Sequence, residues 1–349
     1  MQFKKFGHTD IVVPEICLGT MTFGEQNTQD EAFQQLEYAL ERGLNFWDTA
    51  EMYPVPPKPE TQGSTEVIIG NWLKHNGGRD KLIIASKIAG PSQGGSQIRG
   101  GQTRFNQADI ESALDGNLTR LQTDYIDLYQ LHWPQRPTNF FGKLGYGNED
   151  AKNSNDITNL EETLIALSEE VKKGRIRYIG LSNETPWGTM KFLHLAEKLG
   201  LEKIVSIQNP YNLLNRSYEV GMSEIAHHEG VGLLAYSPLA FGFLTGKFRH
   251  GARPANARIT LYSRFSRYTN SQSDWATEQY ALLAEKHGLS LTQLALAFIK
   301  QQFFVTSTII GATNLNQLKE NIDAFDIELS KEILQEIEAI HKQQPNPAP

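Results

Sequence analysis

One cysteine, Cys17, is all the sequence has among its 349 residues. A single thiol forms no intramolecular disulfide and no thiolate-rich metal centre, and it fits a reducing compartment. Long apolar runs are missing too: no stretch approaches the roughly 18 uninterrupted residues of a membrane span. Near the start, Lys4 and Lys5 lead into Gly7, Asp10 and Pro14, where a secretory signal would continue with an apolar segment. Nor is there an excess of positive charge, since 33 Lys and Arg stand against 40 Asp and Glu for a net charge of -7. A protein that gripped nucleic acid through its backbone would need a basic face. What remains is a cytoplasmic globular protein with neither a nucleic-acid nor a membrane partner, its oligomeric state unmarked in the sequence.

With 39% hydrophobic and 21% charged residues, the chain can bury a large core. Short apolar bursts alternate with amphipathic stretches of helical length, the pattern of βαβ units around a parallel sheet. Strands are expected at 16–21, 45–49, 82–86, 126–132, 176–182, 205–208, 231–237 and 307–311. These eight strands with intervening helices predict a single (β/α)8 TIM barrel of the α/β class, with 1–349 as one domain. Residues 3–13 read as a hairpin, within an N-terminal segment 1–15 that closes the barrel floor, and 343–349 form a Pro-rich tail.

Helix starts are legible. Thr28-Gln29-Asp30-Glu31 is a capping box that leads to Phe33, Leu36 and Leu40 and ends at Gly43. Ser290-Leu291-Thr292-Gln293 and Asn314-Leu315-Asn316-Gln317 repeat that logic, while Ile110, Leu114, Leu118 and Leu121 form one apolar stripe. Long polar or Pro/Gly-rich connections, at 54–63, 90–106, 134–158 and 240–274, all follow strands. In such barrels the loops after strand C-termini carry the active site.

Polar side chains fall where these strands end. Asp48 closes Asn45-Phe46-Trp47-Asp48, with Tyr53 soon after; Lys87 follows Leu82-Ile83-Ile84-Ala85-Ser86; His132 follows Asp127-Leu128-Tyr129-Gln130-Leu131. Singly, each has a plainer account, as a helix cap, a solvated edge, a structural imidazole or a packed ring. Together, on consecutive strands, they converge on one point at the barrel mouth. A phenol with a pKa of about 10 is a poor acid at neutral pH. An ammonium at about 4 Å, worth about 4 kcal/mol at an effective dielectric near 20, favours its ionised form. Lys87 is therefore expected to lower the Tyr53 pKa, Asp48 to keep Lys87 charged, and His132 to orient and polarise a carbonyl. The set suits hydride transfer to a carbonyl with tyrosine as proton donor. Lys87 as the nucleophile of a Schiff-base aldolase is the competing enzymatic reading.

Asp48, Tyr53, Lys87 and His132, in that order and on those strands, resemble the catalytic tetrad of the aldo-keto reductases. The likeness runs from Ile16-Cys17-Leu18-Gly19-Thr20 to Gly311-Ala312-Thr313, and Thr260-Leu261-Tyr262-Ser263-Arg264-Phe265 with Pro347-Ala348-Pro349 looks most like the bacterial Tas-type branch. The resemblance implies a carbonyl reductase acting on a small-molecule aldehyde or ketone, with NADP(H) extended across the barrel mouth and no metal. By position, it implies that Gly19, Thr20 and Met21 lie near the nicotinamide ribose. Ser182, Asn183 and Gln208 would bind the carboxamide, and Tyr236 would stack on the ring. Ser237, Pro238 and Leu239, then Gly242, Leu244, Gly246 and Lys247, resemble the loop around the pyrophosphate. Gly311, Thr313, Gln317, Glu320 and Asn321 resemble the adenosine site at a helix N-terminus. Lys247 and Arg258, with Arg253 as an alternative register, would meet the 2′-phosphate and select NADPH over NADH.

Two departures bear on the substrate. Where many members read Tyr-Gly-x-Gly-x-Ser-Glu, Tyr53 is followed by Pro54-Val55-Pro56-Pro57-Lys58-Pro59 before Gly63-Ser64-Thr65-Glu66, and 134–158 is long and polar. Trp133 and Tyr146 are candidates for the pocket wall or for surface packing. Because some relatives of this fold act in channel complexes, a cofactor-sensing regulatory subunit is the non-enzymatic reading. Other motifs fail on context. Gly230-Val231-Gly232-Leu233-Leu234-Ala235 leads into a strand instead of following one. Residues 242–247 carry Phe248 where a phosphate loop needs Ser or Thr, and His227-His228-Glu229 lacks helical zinc spacing.

Overall fold

The computed structural model describes residues 1–91, 97–101, 103–153 and 160–349, so the expected loops 90–106 and 134–158 lie partly outside the described residues. Two short antiparallel strands, β1 (Phe3–Lys5) and β2 (Val12–Pro14), come first. The barrel strands follow as β3 (Ile16–Gly19), β4 (Phe46–Asp48), β5 (Ile83–Ile88), β6 (Ile126–Leu131), β7 (Ile176–Ser182), β8 (Ser206–Pro210), β9 (Gly232–Tyr236) and β10 (Val305–Ile310). All are parallel, each pairs with the next, and β10 closes on β3. The (β/α)8 barrel read from the sequence is thus the fold.

Strand ends differ from expectation because apolar composition marks strand middles, whereas the ladder hydrogen bonds stop where the rim turns away. β3 ends at Gly19, short of Met21, and β10 begins earlier, at Val305. β5 continues through Ile88, so Lys87 lies inside a strand, paired in register with Gln130 of β6.

Around the barrel run α1 (Gln29–Glu41), α2 (Ser64–Asn76), α3 (Gln107–Leu121), α4 (Asn148–Lys152), α5 (Leu160–Lys172), α6 (Pro186–Leu199) and α7 (Met222–Glu229). After β9 come α8 (Arg258–Leu261), α9 (Ser271–Lys286) and α10 (Leu291–Lys300), and after β10 come α11 (Leu315–Asp323) and α12 (Lys331–Gln343). The capping boxes at Thr28 and Ser290 form as read. Asn314 caps α11, but the Gln317 side chain turns outward to accept from the Thr313 backbone N–H and hydroxyl, both at 3.0 Å. The connection 240–274 is shorter than expected, since α8 interrupts it and Asn270 already caps α9.

The hairpin plugs the barrel floor. Phe6 is buried against Phe46, with ring centres 5.9 Å apart, and joins Cys17, Leu128 and Leu234 in an interior cluster below the mouth. Its turn needs Gly7, whose φ is +59° and where a Cβ would stand 2.5 Å from the Val205 carbonyl oxygen. The C-terminal tail is not loose. Ala348 N–H donates to the Leu214 carbonyl at 3.1 Å, and Asn346 Oδ1 accepts from the Arg216 N–H at 2.6 Å.

Candidate active site

At the C-terminal ends of the strands opens a cleft of about 1560 Å³, beyond the roughly 300–1,000 Å³ of a typical small-molecule pocket. Asp48, Tyr53 and His132 line it, and Lys87 is wholly buried behind them. Lys87 Nζ donates to Asp48 Oδ1 at 2.6 Å, to the Thr49 carbonyl at 2.8 Å and to the Tyr53 hydroxyl at 3.2 Å. All three ammonium protons are thereby engaged. Burial alone would strip the charge from this amine, but Asp48 and Tyr53 outweigh it and hold the Lys87 pKa above its ordinary value.

The other Asp48 oxygen, Oδ2, accepts from Gln208 at 2.8 Å and from Gln130 at 3.2 Å. Gln130 was not singled out from the sequence. Its signal was its place two residues before His132 on β6, hence on the same inward face, amid apolar neighbours. Cys17 lies in the same interior, its thiol pushed well up by burial and then by Asp48, which keeps it protonated and inert.

For Tyr53 the expected direction of the pKa shift is reversed. Burial raises it more than Lys87 lowers it, so the phenol titrates above its ordinary range. Lys87 does pull in the expected direction, but the cost of desolvating a phenolate is larger. His132 is pushed well below its usual value by burial and then by Lys87, so its imidazole is neutral. Its ring stands edge-on to Tyr53, with centres 5.7 Å apart, and Nδ1 is buried without a protein partner.

A family model described as aldo/keto reductase matches residues 15–342. The chain belongs to the aldo/keto reductase family. It is 55% identical to protein tas of Escherichia coli K12, with 100% of both chains covered. It is 33% identical to the uncharacterized oxidoreductase YrpG of Bacillus subtilis strain 168, covering 96% of this chain and 94% of that one. A more distant relative is the L-glyceraldehyde 3-phosphate reductase of E. coli K12, at 28% identity over 93% of this chain and 88% of that one. Membership supports an oxidoreductase, and the identity to protein tas puts the chain with the Tas-type members.

The remaining residues read from this aldo/keto reductase sequence divide in two. Gly19, Thr20, Met21, Ser182, Asn183, Gln208 and Tyr236 line the cleft around the tetrad. Asn183, at a φ of +55°, accepts from the Tyr236 hydroxyl at 2.6 Å and donates to the His132 carbonyl at 2.8 Å. Ser182 donates to the Gln208 carbonyl at 2.9 Å. Further out, Ser237, Pro238, Leu239, Gly242 and Lys247 line one side, and Gly311, Thr313, Gln317, Glu320 and Asn321 the end at α11. Leu244 and Gly246 do not reach the cleft: Leu244 is fully buried in the core, and Gly246 only turns the chain at a φ of +78°.

Lys247 and Arg258, like Arg267 in the same cleft, have no carboxylate beside them among the described residues. Burial and then the repulsion of Arg258 lower the Lys247 pKa. Burial pulls Arg258 down to about 10, against a partial upward pull from Tyr53. Its guanidinium carbon stands 5.8 Å from the centre of the Phe241 ring and 5.4 Å from that of Phe265. Gly242, at a φ of +99°, makes the lysine's path open, because a Cβ there would meet Lys247 Cε at 2.6 Å. Unpaired cations, a glycine-lined curve and the α11 N-terminus form a cradle whose donors fit a phosphate-bearing dinucleotide. Trp133 also lines the cleft, whereas Tyr146 is 55% exposed and outside it. No helix among the described residues is long and apolar enough to cross a membrane.

Proposed function

We propose that this oxidoreductase reduces an aldehyde or ketone to the alcohol with NADPH, with Tyr53 as the proton donor. The observation that carries the reading is the unbroken hydrogen-bond chain from Asp48 through Lys87 to Tyr53 at the floor of a cleft roomy enough for a dinucleotide and a second small molecule. When bound, the nicotinamide supplies a hydride to the carbonyl carbon. Tyr53 keeps its proton through neutrality and yields it only as negative charge develops on the carbonyl oxygen. Lys87 then stabilises the phenolate through the contact it already makes, and Asp48 keeps that lysine charged. Neutral His132 orients the carbonyl. Ser182, Asn183 and Gln208 would hold the carboxamide, Tyr236 the flat face of the ring, and Lys247 and Arg258 the phosphates, which favours NADPH over NADH.

The aldolase alternative loses support from the same geometry. A Schiff-base lysine needs a free lone pair, while Lys87 donates three hydrogen bonds and its pKa is raised. We further take 1–349 as one domain, since the tail returns to the barrel, and the cytoplasm as its location, on its single buried thiol. Loss of NADPH absorbance with a panel of aldehydes tests the function. Steady turnover, faster with NADPH than with NADH, is expected. Tight NADPH binding with no turnover of any aldehyde would make the chain a cofactor sensor instead.

A further inference from the structure

Arg267 is a cation of the cleft that has no task in that scheme. Arg267 lines the same cavity as Tyr53 and His132, its guanidinium carbon 5.8 Å from the centre of the Phe241 ring and close against the hydroxyls of Tyr236 and Tyr268. No carboxylate approaches it among the described residues, and its Nη1 is buried without an acceptor. Arg258 repels Lys247. Arg258 and Arg267 each stand 5.8 Å from the centre of the Phe241 ring, and of the two it is Arg267 that also meets the Gly142 turn and the hydroxyls of Tyr236 and Tyr268. A partly buried guanidinium with phenol hydroxyls beside it and one buried nitrogen unmatched gains a charge-assisted partner when an anion reaches it.

The wall between Tyr53 and Arg267 is aromatic. Ring centres run from Tyr53 to His132 at 5.7 Å, from His132 to Trp133 at 5.1 Å and from Trp133 to Phe141 at 5.7 Å. Gly142, next in sequence, rests on Arg267: a Cβ there would stand 3.4 Å from Arg267 Nε. The series that begins at the proton donor therefore ends at an unpaired cation.

We propose that Arg267 is the anion-recognising residue of the substrate pocket, and that the substrate class is a carbonyl compound carrying a carboxylate or phosphate group on a flat or apolar body. The inference rests on the reductase reading, which supplies the carbonyl end. A planar substrate would lie along the rings with its carbonyl at Tyr53 and its charge at Arg267. Bidentate pairing of the planar guanidinium suits either anion.

The test compares 4-carboxybenzaldehyde, 4-formylphenyl phosphate and the neutral methyl 4-formylbenzoate as substrates of the wild-type enzyme, Arg267→Met and Arg267→Lys, with NADPH affinity measured for each protein. Wild-type kcat/KM should favour an anionic aldehyde over the neutral ester by about 10- to 100-fold, the range for a charge-assisted contact. The better of the two anions identifies the natural group. Arg267→Met should bring that ratio close to one, and Arg267→Lys should restore part of it. A wild-type ratio near one, or a ratio that survives in Arg267→Met, overturns the proposal. So does an Arg267→Met variant whose NADPH affinity falls in step with all three aldehydes, which would give the residue to the cofactor. If no aldehyde turns over, the reductase reading fails by itself. Calorimetry of 4-(hydroxymethyl)benzoate and its methyl ester with the NADP-saturated protein then decides the anion site, with a preference for the acid that Arg267→Met abolishes supporting it and equal binding overturning it.

Discussion

The Gln208 amide nitrogen stands 2.8 Å from Asp48 Oδ2, joining β8 to the strand facing it across the barrel, while the other oxygen of the same carboxylate holds Lys87. Asp48 is thus fixed from two sides by donors. Asp48→Asn would replace one acceptor with a donor and leave a buried ammonium uncompensated. Losing one partner of a buried pair costs about 3–5 kcal/mol. Urea denaturation should show a loss of that order; a change below about 1 kcal/mol would mean that Lys87 is not held by this contact.

The direction of the Tyr53 shift sets the pH profile. A phenol raised above its ordinary value stays protonated through neutrality. For carbonyl reduction, kcat/KM should be level across neutral pH and fall only above about 10, the ordinary tyrosine value. An alkaline limb centred near pH 7 or 8 would require an acid other than Tyr53.

His132 links the site to acid stability. In the unfolded chain its imidazole takes up a proton near the ordinary value of 6.5, whereas the buried ring does so only well below it. Between those limits the unfolded state binds more protons. Acidification below 6.5 therefore lowers stability, by up to about 1.4 kcal/mol per pH unit for this one group. His132→Gln should flatten that part of the stability–pH curve, and an unchanged slope would assign the acid sensitivity to other groups.

Lys247 bears on cofactor choice. Its charge has no acidic partner among the described residues, and Arg258 repels it. Lys247→Ala should weaken NADPH binding by about 10- to 100-fold, as expected for one charge-assisted contact, with a smaller loss for NADH. Equal losses measured by fluorescence titration would move the lysine from the 2′-phosphate to the pyrophosphate.

Much of this was legible because the barrel is periodic. Short apolar runs marked the eight strands, and polar residues at or near their ends pointed to Asp48, Tyr53, Lys87 and His132, side chains that the structure brings together at the barrel mouth. What escaped depends on contacts distant in sequence. Gln130 and Gln208 meet at Asp48 only because the sheet closes on itself. Arg267 looks like any loop arginine until Gly142 and Phe241 are seen against it. The Tyr53 shift took the wrong sign because charge can be counted in a sequence and burial cannot. The family resemblance places Leu244 in the pyrophosphate loop, but the turn at Phe241 and Gly242 sends its side chain into the core.

The most direct trial is Tyr53→Phe, which removes one hydroxyl and leaves the ring. Single-turnover oxidation of bound NADPH by an aldehyde, with NADPH affinity measured on the same protein, separates chemistry from binding. Hydride transfer slowed by about 100-fold or more, with NADPH affinity nearly unchanged, is predicted, because only proton donation in the transition state is lost. Transfer at the wild-type rate would contradict the account, since the carbonyl oxygen would then be receiving its proton from elsewhere.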